Sequence, residues 1–278
     1  MTNRSQRNAK RPKGITEKEV EEVEELSSPR TPVIYEIVRR LGEEEMVRPF
    51  ASLWWSGAAA GLSISFSLLA QALLEMSLPD APWRPLVASF GYSVGFLMAV
   101  LSRQQLFTEN TITAVLPLAA DFTFDNLARM ARMWAIVLAA NLAGTLVAAM
   151  LCSWTPALAP KVLHAMIEVS LRLRELPWSD MFFRGITSGF LIAAMVWLMP
   201  GSEGAQFHVI TLMTYLIALG GFTHIIAGSM EAFMLLMNGD TGFGWVLFDF
   251  AVPTLLGNII GGTVLFAMIA YAQVMKEI

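Results

Sequence analysis

The sequence predicts an all-α membrane protein with six transmembrane helices, arranged as two inverted three-helix repeats in which helices two and five are broken. Three observations predict this fold. The chain of 278 residues is 55% hydrophobic and 15% charged, with a mean hydropathy of +0.55, and one soluble core cannot bury that much apolar surface. Its apolar residues fall into blocks near the ~20 residues that cross a bilayer. Short motifs also recur between the two halves of the chain.

The chain begins with two segments that precede the apolar blocks. Residues 1–30 are dense in charge and contain no aromatic residue, which is typical of a disordered tail. They lack the apolar stretch of a signal peptide, so we expect the tail to stay in the cytoplasm. Residues 31–52 alternate apolar and charged residues at helical spacing. They predict an amphipathic cytoplasmic helix, which lies either on the membrane surface or against the protein's own cytoplasmic face.

The remaining residues, 53–278, form the predicted transmembrane channel domain. Its six apolar blocks lie at 53–75, 85–120, 127–153, 180–200, 206–237 and 245–273. The second and fifth blocks are longer than one crossing needs. The second is interrupted by the polar stretch Ser102 to Gln105, and the fifth loses its regularity from Gly220 to Gly228. Both blocks therefore predict broken helices.

Basic residues near the block ends indicate the orientation in the membrane. Arg48 precedes the first block and Arg129 follows the second, as the positive-inside rule requires for a cytoplasmic amino terminus. Arg172, between blocks three and four, argues against this orientation, but the leading segment usually dominates. We therefore expect a multi-pass protein of the bacterial inner membrane with both termini in the cytoplasm.

Paired motifs indicate the inverted repeat. The glycine motif at Gly57–Gly61 in block one recurs at Gly185–Gly189 in block four, and the motif that begins at Asn141 in block three recurs from Asn258 in block six. Three crossings in each half is an odd number, so the second half enters the membrane in the opposite sense. A ligand path is then expected between the halves, near the membrane midplane.

The spacing to these asparagines also aligns the two breaks. Thr108 precedes Asn141 by 33 residues and His224 precedes Asn258 by 34, which aligns the break of the second block with that of the fifth. We expect Thr108 and Ser229 to cap the half-helices that follow the breaks. A half-helix that starts inside the membrane directs its amide groups and positive dipole end at the gap, which favours an anion there.

Ionisable residues inside the predicted membrane segments are functional candidates, because a buried charge is costly in lipid. His224 lies within the second break, and an imidazole exchanges protons near neutral pH. The alternative is a neutral histidine that only supports helix packing. Arg103, Glu109 and Glu231 either give the first break a fixed positive charge that the two glutamates balance, or form a buried structural network.

The motifs resemble those of the formate/nitrite transporters over about residues 50–273. LFTEN, from Leu106, matches that family's loop in helix two, and FTHIIAGSM, from Phe222, matches its pore histidine in a broken helix five. PTLLGNIIGG, from Pro253, is similar to its last helix. The charged tail resembles the YfdC-type branch of the family.

This resemblance implies a homopentamer in membrane lipid, with an aquaporin-like protomer. Each protomer would carry its own pore for formate, nitrite, hydrosulfide or similar weak-acid anions, as a passive channel or with proton coupling through the histidine. The pore and substrate residues that it implies are His224, Thr108, Thr223 and Gly228, and we add the expected cap Ser229 to them. The implied constriction residues are Leu106, Phe107, Tyr92, Phe96 and Ile217. Thr223 and Gly228 stand where the family has a glutamate and an asparagine.

Two other functions remain open. A neutral-solute pore of the aquaporin type would carry asparagine-proline-alanine triplets, and this chain contains none. A closed structural or regulatory membrane protein would carry no solute. An enzyme is not expected, since His224 has no partner histidine at helical spacing, and we expect no catalytic residue, cofactor, metal or nucleic-acid partner.

Overall fold

The computed structural model describes Thr16, Lys18, Glu19 and residues 29–277 of the chain. Within these residues all regular secondary structure is helical, so the all-α fold class is confirmed. The predicted tail, residues 1–30, lies outside the described residues except for these few positions. The helices are α1 (Thr31–Met46), α2 (Phe50–Ser77), α3 (Arg84–Leu101), α4 (Phe107–Thr113), α5 (Val115–Ala120), α6 (Phe124–Trp154), α7 (Pro160–Arg174), α8 (Trp178–Leu198), α9 (Gln206–Leu219), α10 (Ile225–Asn238) and α11 (Trp245–Val274).

Membrane-length helices stand where the apolar blocks predicted them. By length and composition α2, α3, α6, α8 with its following turn, and α11 are each able to cross a membrane. The fifth block instead forms the two 14-residue apolar helices α9 and α10, and the second block continues past α3 as the short helices α4 and α5. Both predicted interruptions are therefore present. The second is shorter than predicted, because α10 already begins at Ile225 rather than after Gly228.

The two breaks share one backbone geometry. α3 is followed by Arg103 at φ 53° and α9 by Gly221 at φ 60°, both in the left-handed region. In each case the amide of the next residue donates to the carbonyl oxygen five residues earlier, over 2.9 Å. This is the left-handed ending that commonly stops an α-helix, and glycine is its usual residue. Arg103 thus adopts a conformation that costs a side-chain-bearing residue roughly 1–2 kcal/mol.

Arg103→Gly should therefore raise the thermal unfolding midpoint of the detergent-solubilised protein, with a gain in stability of up to about 1 kcal/mol. Gly221→Ala should lower the midpoint by a similar amount or more, because the left-handed conformation is unfavourable for alanine and the added Cβ would lie 3.3 Å from the end of the Arg184 side chain, which must shift. Arg103→Ala serves as the control and should change little, because alanine is equally strained there. A lower midpoint for Arg103→Gly would show that the arginine side chain itself holds the loop.

Asn141, in the middle of α6, fixes the first break through its side-chain amide. Its Oδ1 accepts a hydrogen bond from the Phe107 amide over 2.9 Å. Its Nδ2 donates to the carbonyl oxygens of Gln105 and Gly57, each over 2.8 Å. One buried side chain therefore satisfies the backbone on both sides of the break and ties it to α2.

Asn258, in α11, makes the same three bonds at the second break. Its Oδ1 accepts from the Ile225 amide over 2.9 Å, and its Nδ2 donates to the carbonyl oxygens of Thr223 over 3.0 Å and Gly185 over 2.9 Å. The predicted pairing of Asn141 with Asn258 is thereby confirmed in atomic detail. The internal repeat of the fold extends to individual hydrogen bonds.

These bonds confirm that the two breaks align, as predicted, and they fix the residue-by-residue register. They make Gln105 equivalent to Thr223, so Leu106 is equivalent to His224. Thr108, two residues further on, is therefore equivalent to Ile226. The repeat is one of backbone geometry, and it places a leucine where the other half has a histidine.

Close helix contacts bring the asparagines to the breaks. A Cβ added at Gly61 would overlap the carbonyl oxygen of Asn141, and one added at Gly189 would overlap that of Asn258. Backbones approach this closely only where a small residue stands at the interface. The paired glycine motifs therefore position the two break-binding side chains.

The amphipathic segment forms α1 and a turn, and α2 begins at Phe50. One face of α1, which includes Tyr35 and Val38, is buried and packs mainly against α4 and α5. Near its end Glu45 accepts hydrogen bonds from Gln105 over 3.0 Å and from Thr113 over 2.9 Å. Burial raises the pKa of the Glu45 carboxyl, while these two donors oppose the rise. Of the two predicted placements, the structure favours packing against the protein's own face.

Candidate functional site

A cavity of about 390 Å³, which we call the vestibule, leads into the protein beside the second break. Its mouth lies at Arg172, Glu175 and Arg184, which are exposed or partly exposed, and its lining includes His224, which is 1% exposed. Among the residues proposed from the sequence, those that line it are Tyr92, Ile217, Thr223, His224, Gly228 and Glu231. Six helices, namely α2, α3, α7, α8, α9 and α10, and the second break thus converge on this space.

His224 lies at the inner end of the vestibule as the N-cap residue of α10. Its Nδ1 accepts a hydrogen bond from the Ala227 amide over 3.1 Å, and its Nε2 lies 2.8 Å from Thr108 Oγ1. The edge of the ring contacts Phe96, with 5.1 Å between ring centroids. The structure therefore brings His224 and Thr108, one from each break, into direct contact.

The bond from Ala227 determines where the hydrogen of a neutral ring sits. An accepting Nδ1 carries no hydrogen, so a neutral imidazole holds it on Nε2 and donates it to Thr108. The Thr108 hydroxyl hydrogen is then left for another acceptor. A charged ring would carry hydrogens on both nitrogens and lose the bond from Ala227. This geometry favours a permanently neutral His224 over the proton-donating histidine.

The predicted caps are wrong. The residue before α4 is Leu106, with no side-chain cap, and Thr108 lies inside its first turn. Ser229 lies within α10, where it donates to the Ile226 carbonyl over 2.6 Å and sits 2.8 Å from Thr145 Oγ1. Asn141 accepts the hydrogen bond of a backbone amide at the first break, and His224 and Asn258 accept those of two amides at the second. These side chains bind the backbone amides that we expected to face the gap at each break.

The predicted constriction residues separate into two groups. Tyr92 and Ile217 line the vestibule, and Tyr92 contacts Phe96 with 5.3 Å between centroids. Leu106, Phe107 and Phe96 are each at most 1% exposed and lie outside the vestibule lining. The Phe107 ring packs edge-on against Trp134. We call Phe96, Leu106 and Phe107 the apolar layer: Phe96 packs against the His224 ring, and Leu106 and Phe107 directly precede Thr108 in the chain.

Neighbouring side chains account for the two positions that depart from the resembled family. The Thr223 hydroxyl donates to the Met181 carbonyl over 2.6 Å, and its own carbonyl accepts from Asn258. At Gly228 an added Cβ would lie 2.8 Å from the Phe250 ring. The phenylalanine thus occupies the space that a larger residue at 228 would need.

Arg103, Glu109 and Glu231 are not brought together. Arg103 is exposed beside the first break, and Glu231 lines the vestibule. Glu109 has a buried carboxylate oxygen without a hydrogen-bond partner in the described part of the chain. No hydrogen bond or ion pair between described residues joins the three, so they do not form one network.

An ion pair at the vestibule mouth was missed from the sequence. Arg172 of α7 donates two hydrogen bonds to Glu75 of α2, which raises the pKa of the guanidinium and keeps it charged. Beside it Arg184 pairs with Asp180 over 3.2 Å. Glu75 and Arg172 are 97 residues apart, and no sequence pattern indicates such a pairing.

Comparisons with known proteins agree with this geometry. The profile of the formate/nitrite transporters matches residues 32–272. The chain is 40% identical to the inner membrane protein YfdC of Escherichia coli (strain K12), over 94% of this chain and 84% of that protein. It is 26% identical to the nitrite transporter NirC of the same organism, over 77% and 81% of the two chains. A pentameric formate channel with formate bound has the same fold, with a TM-score of 0.66, 18% identity and coverage of 85% of this chain and 99% of that one.

Proposed function

The chain belongs to the formate/nitrite transporter family, and from this premise we propose that it is a transmembrane channel or transporter for small monovalent anions such as formate, nitrite or hydrosulfide. The observation that carries the proposal is the vestibule that ends at the contact of His224 with Thr108. Similarity to the nitrite transporter and to the formate channel fold supports the class of solute.

The barrier to an anion is its desolvation. Moving a bare monovalent ion into a medium of low polarity costs tens of kcal/mol in the idealised limit. The apolar layer of Phe96, Leu106 and Phe107 alone would therefore exclude it. The Thr108 hydroxyl, oriented by the donating Nε2 of His224, offers a hydrogen bond at this depth. We propose that these two residues replace part of the water that the anion loses on entering the apolar layer.

The proposal includes an assembly and a location. Like the pentameric formate channel, the protein would be a homopentamer of aquaporin-like protomers, each with its own pore. Large apolar side chains on the outside of the helices, among them Phe183 and Phe248, would face neighbouring subunits or lipid. We place it in the bacterial inner membrane, with six crossings if α9 and α10 count as one. Both termini, the tail 1–30 and the helix region 31–52 would be cytoplasmic, and the channel would occupy 53–278 without catalysing a reaction.

Uptake into proteoliposomes tests this function. The purified protein should carry at least one of formate, nitrite, hydrosulfide, acetate or chloride faster than protein-free liposomes, at an acidic and at a neutral pH. Swelling assays with water and glycerol run in parallel. Water or glycerol flux without anion flux would instead support the neutral pore, and the absence of any flux would support the structural alternative.

A further inference from the structure

We propose that Glu231 exchanges protons with anions in the vestibule, so that a weak-acid anion receives its proton from this carboxyl rather than from His224. The inference rests on the proposed anion transport. It assigns a role to a membrane-embedded carboxyl that the His224–Thr108 contact does not use.

Position is the first support. Glu231 follows His224 by seven residues on α10, which is about two helical turns and roughly 10 Å of rise. Residues at this spacing lie on the same helix face, and both line the vestibule. Glu231 therefore stands between the open mouth and the narrow site, on the path of a solute that moves from one to the other.

The second support is that no described residue binds the Glu231 carboxyl. It makes no hydrogen bond or ion pair with any residue in the described ranges, whereas Glu75 binds Arg172 and Asp180 binds Arg184. Glu175, also at the mouth, is exposed to solvent. The titratable and charged groups that share the vestibule with Glu231 are Glu75 beside its mouth, Tyr92, Arg172, Glu175, Arg184 and His224.

Charge provides the third support. Arg172 and Arg184 bring two positive charges, and both are already paired with carboxylates. An ionised Glu231 would add an unpaired negative charge beside the path and repel an entering anion. A protonated Glu231 removes that repulsion. Anion entry is therefore linked to proton binding at this position.

The exchange is a simple proton transfer. The O–H bond of the protonated Glu231 carboxyl breaks while a new O–H bond forms on the carboxylate of an anion such as formate. Neutral formic acid then passes the apolar layer, and Glu231 remains as carboxylate. A hydronium ion in the water at the mouth returns the proton. His224 does not take part, because its Nδ1 is committed to the Ala227 amide.

The test measures protons and formate together in the same proteoliposomes. Radiolabelled formate reports the anion, and a pH-sensitive dye inside reports the protons. For Glu231→Gln we expect protein-dependent proton entry per formate to fall at least about tenfold, and the acceleration of uptake at acidic pH to disappear. Glu231→Asp keeps a titratable group and should keep the coupling. Glu203→Gln, on the exposed turn between α8 and α9 and outside the vestibule lining, should behave as the unmodified protein.

Three results would overturn the inference. Glu231→Gln with the normal proton-to-formate ratio and pH profile would exclude the carboxyl as proton carrier. Loss of coupling in Glu231→Asp as well as in Glu231→Gln would indicate a structural role. An unmodified protein that carries no anion above protein-free liposomes would overturn the proposed function, and this inference with it.

Discussion

His224→Phe should reduce anion flux through proteoliposomes about 100-fold, while the protein still assembles. The imidazole holds Thr108 through a 2.8 Å contact, and phenylalanine cannot donate to the hydroxyl. Loss of a hydrogen bond to a charged group costs roughly 1.5–3 kcal/mol. Each 1.4 kcal/mol added to a barrier slows passage about tenfold.

The substitution also removes the bond between Nδ1 and the Ala227 amide, so folding must be tested separately. His224→Asn is the matched control. A short amide side chain is a good N-cap, but it is too short to reproduce both contacts of the imidazole. We expect His224→Asn to unfold at the normal temperature and to lose most of the flux. Uptake of formate or nitrite at the unmodified rate in either variant would remove His224 from the permeation path.

A neutral His224 also predicts the pH behaviour of the flux. If the ring stays neutral, acidification changes transport through other groups, and Glu231 is the candidate that lines the vestibule. His224→Asn should then keep the pH profile of the unmodified protein at a reduced rate. If His224→Asn lost the pH dependence as well as the rate, His224 would be the group that exchanges the proton.

The membrane fold was predictable from the sequence because it depends on composition and block length. Each apolar block begins and ends within a few residues of a helix end, since lipid requires about 20 apolar residues for every crossing. The breaks at Ser102 and Gly220 were predictable because polar residues or glycines interrupt an otherwise apolar run. The glycine pairs predicted the repeat, because close helix contact restricts the residue type.

The site was only partly predictable, because its geometry depends on contacts between distant residues. His224 and Thr108 were found by their chemistry, but their mutual contact spans 116 residues. The caps were misjudged, since serine and threonine near a helix start are the usual choice, whereas here Asn141 reaches across 34 residues and Asn258 across 33. The mouth pair of Glu75 and Arg172 had no local signal at all.

Asn258→Leu should destabilise the protein by about 3–5 kcal/mol. Leucine has a similar size but cannot replace the bonds to Ile225, Thr223 and Gly185. Those backbone groups would then be buried without partners, at about 1–3 kcal/mol each. Neither lipid nor a neighbouring helix offers a substitute at this depth. Asn141→Leu should have the same effect at the first break.

The measurement is the thermal unfolding midpoint in detergent, together with the fraction recovered as assembled oligomer. Asn238→Leu, at the exposed end of α10 and outside both breaks, is the control: it removes hydrogen bonds to Ser153 and to the Met234 carbonyl that water can replace, so it should cost at most about 1 kcal/mol. Because the two asparagines make the same bonds, their variants should unfold at similar temperatures. If Asn258→Leu unfolded at the normal temperature, these three bonds would not hold the second break, and the alignment of Leu106 with His224 would lose its physical basis.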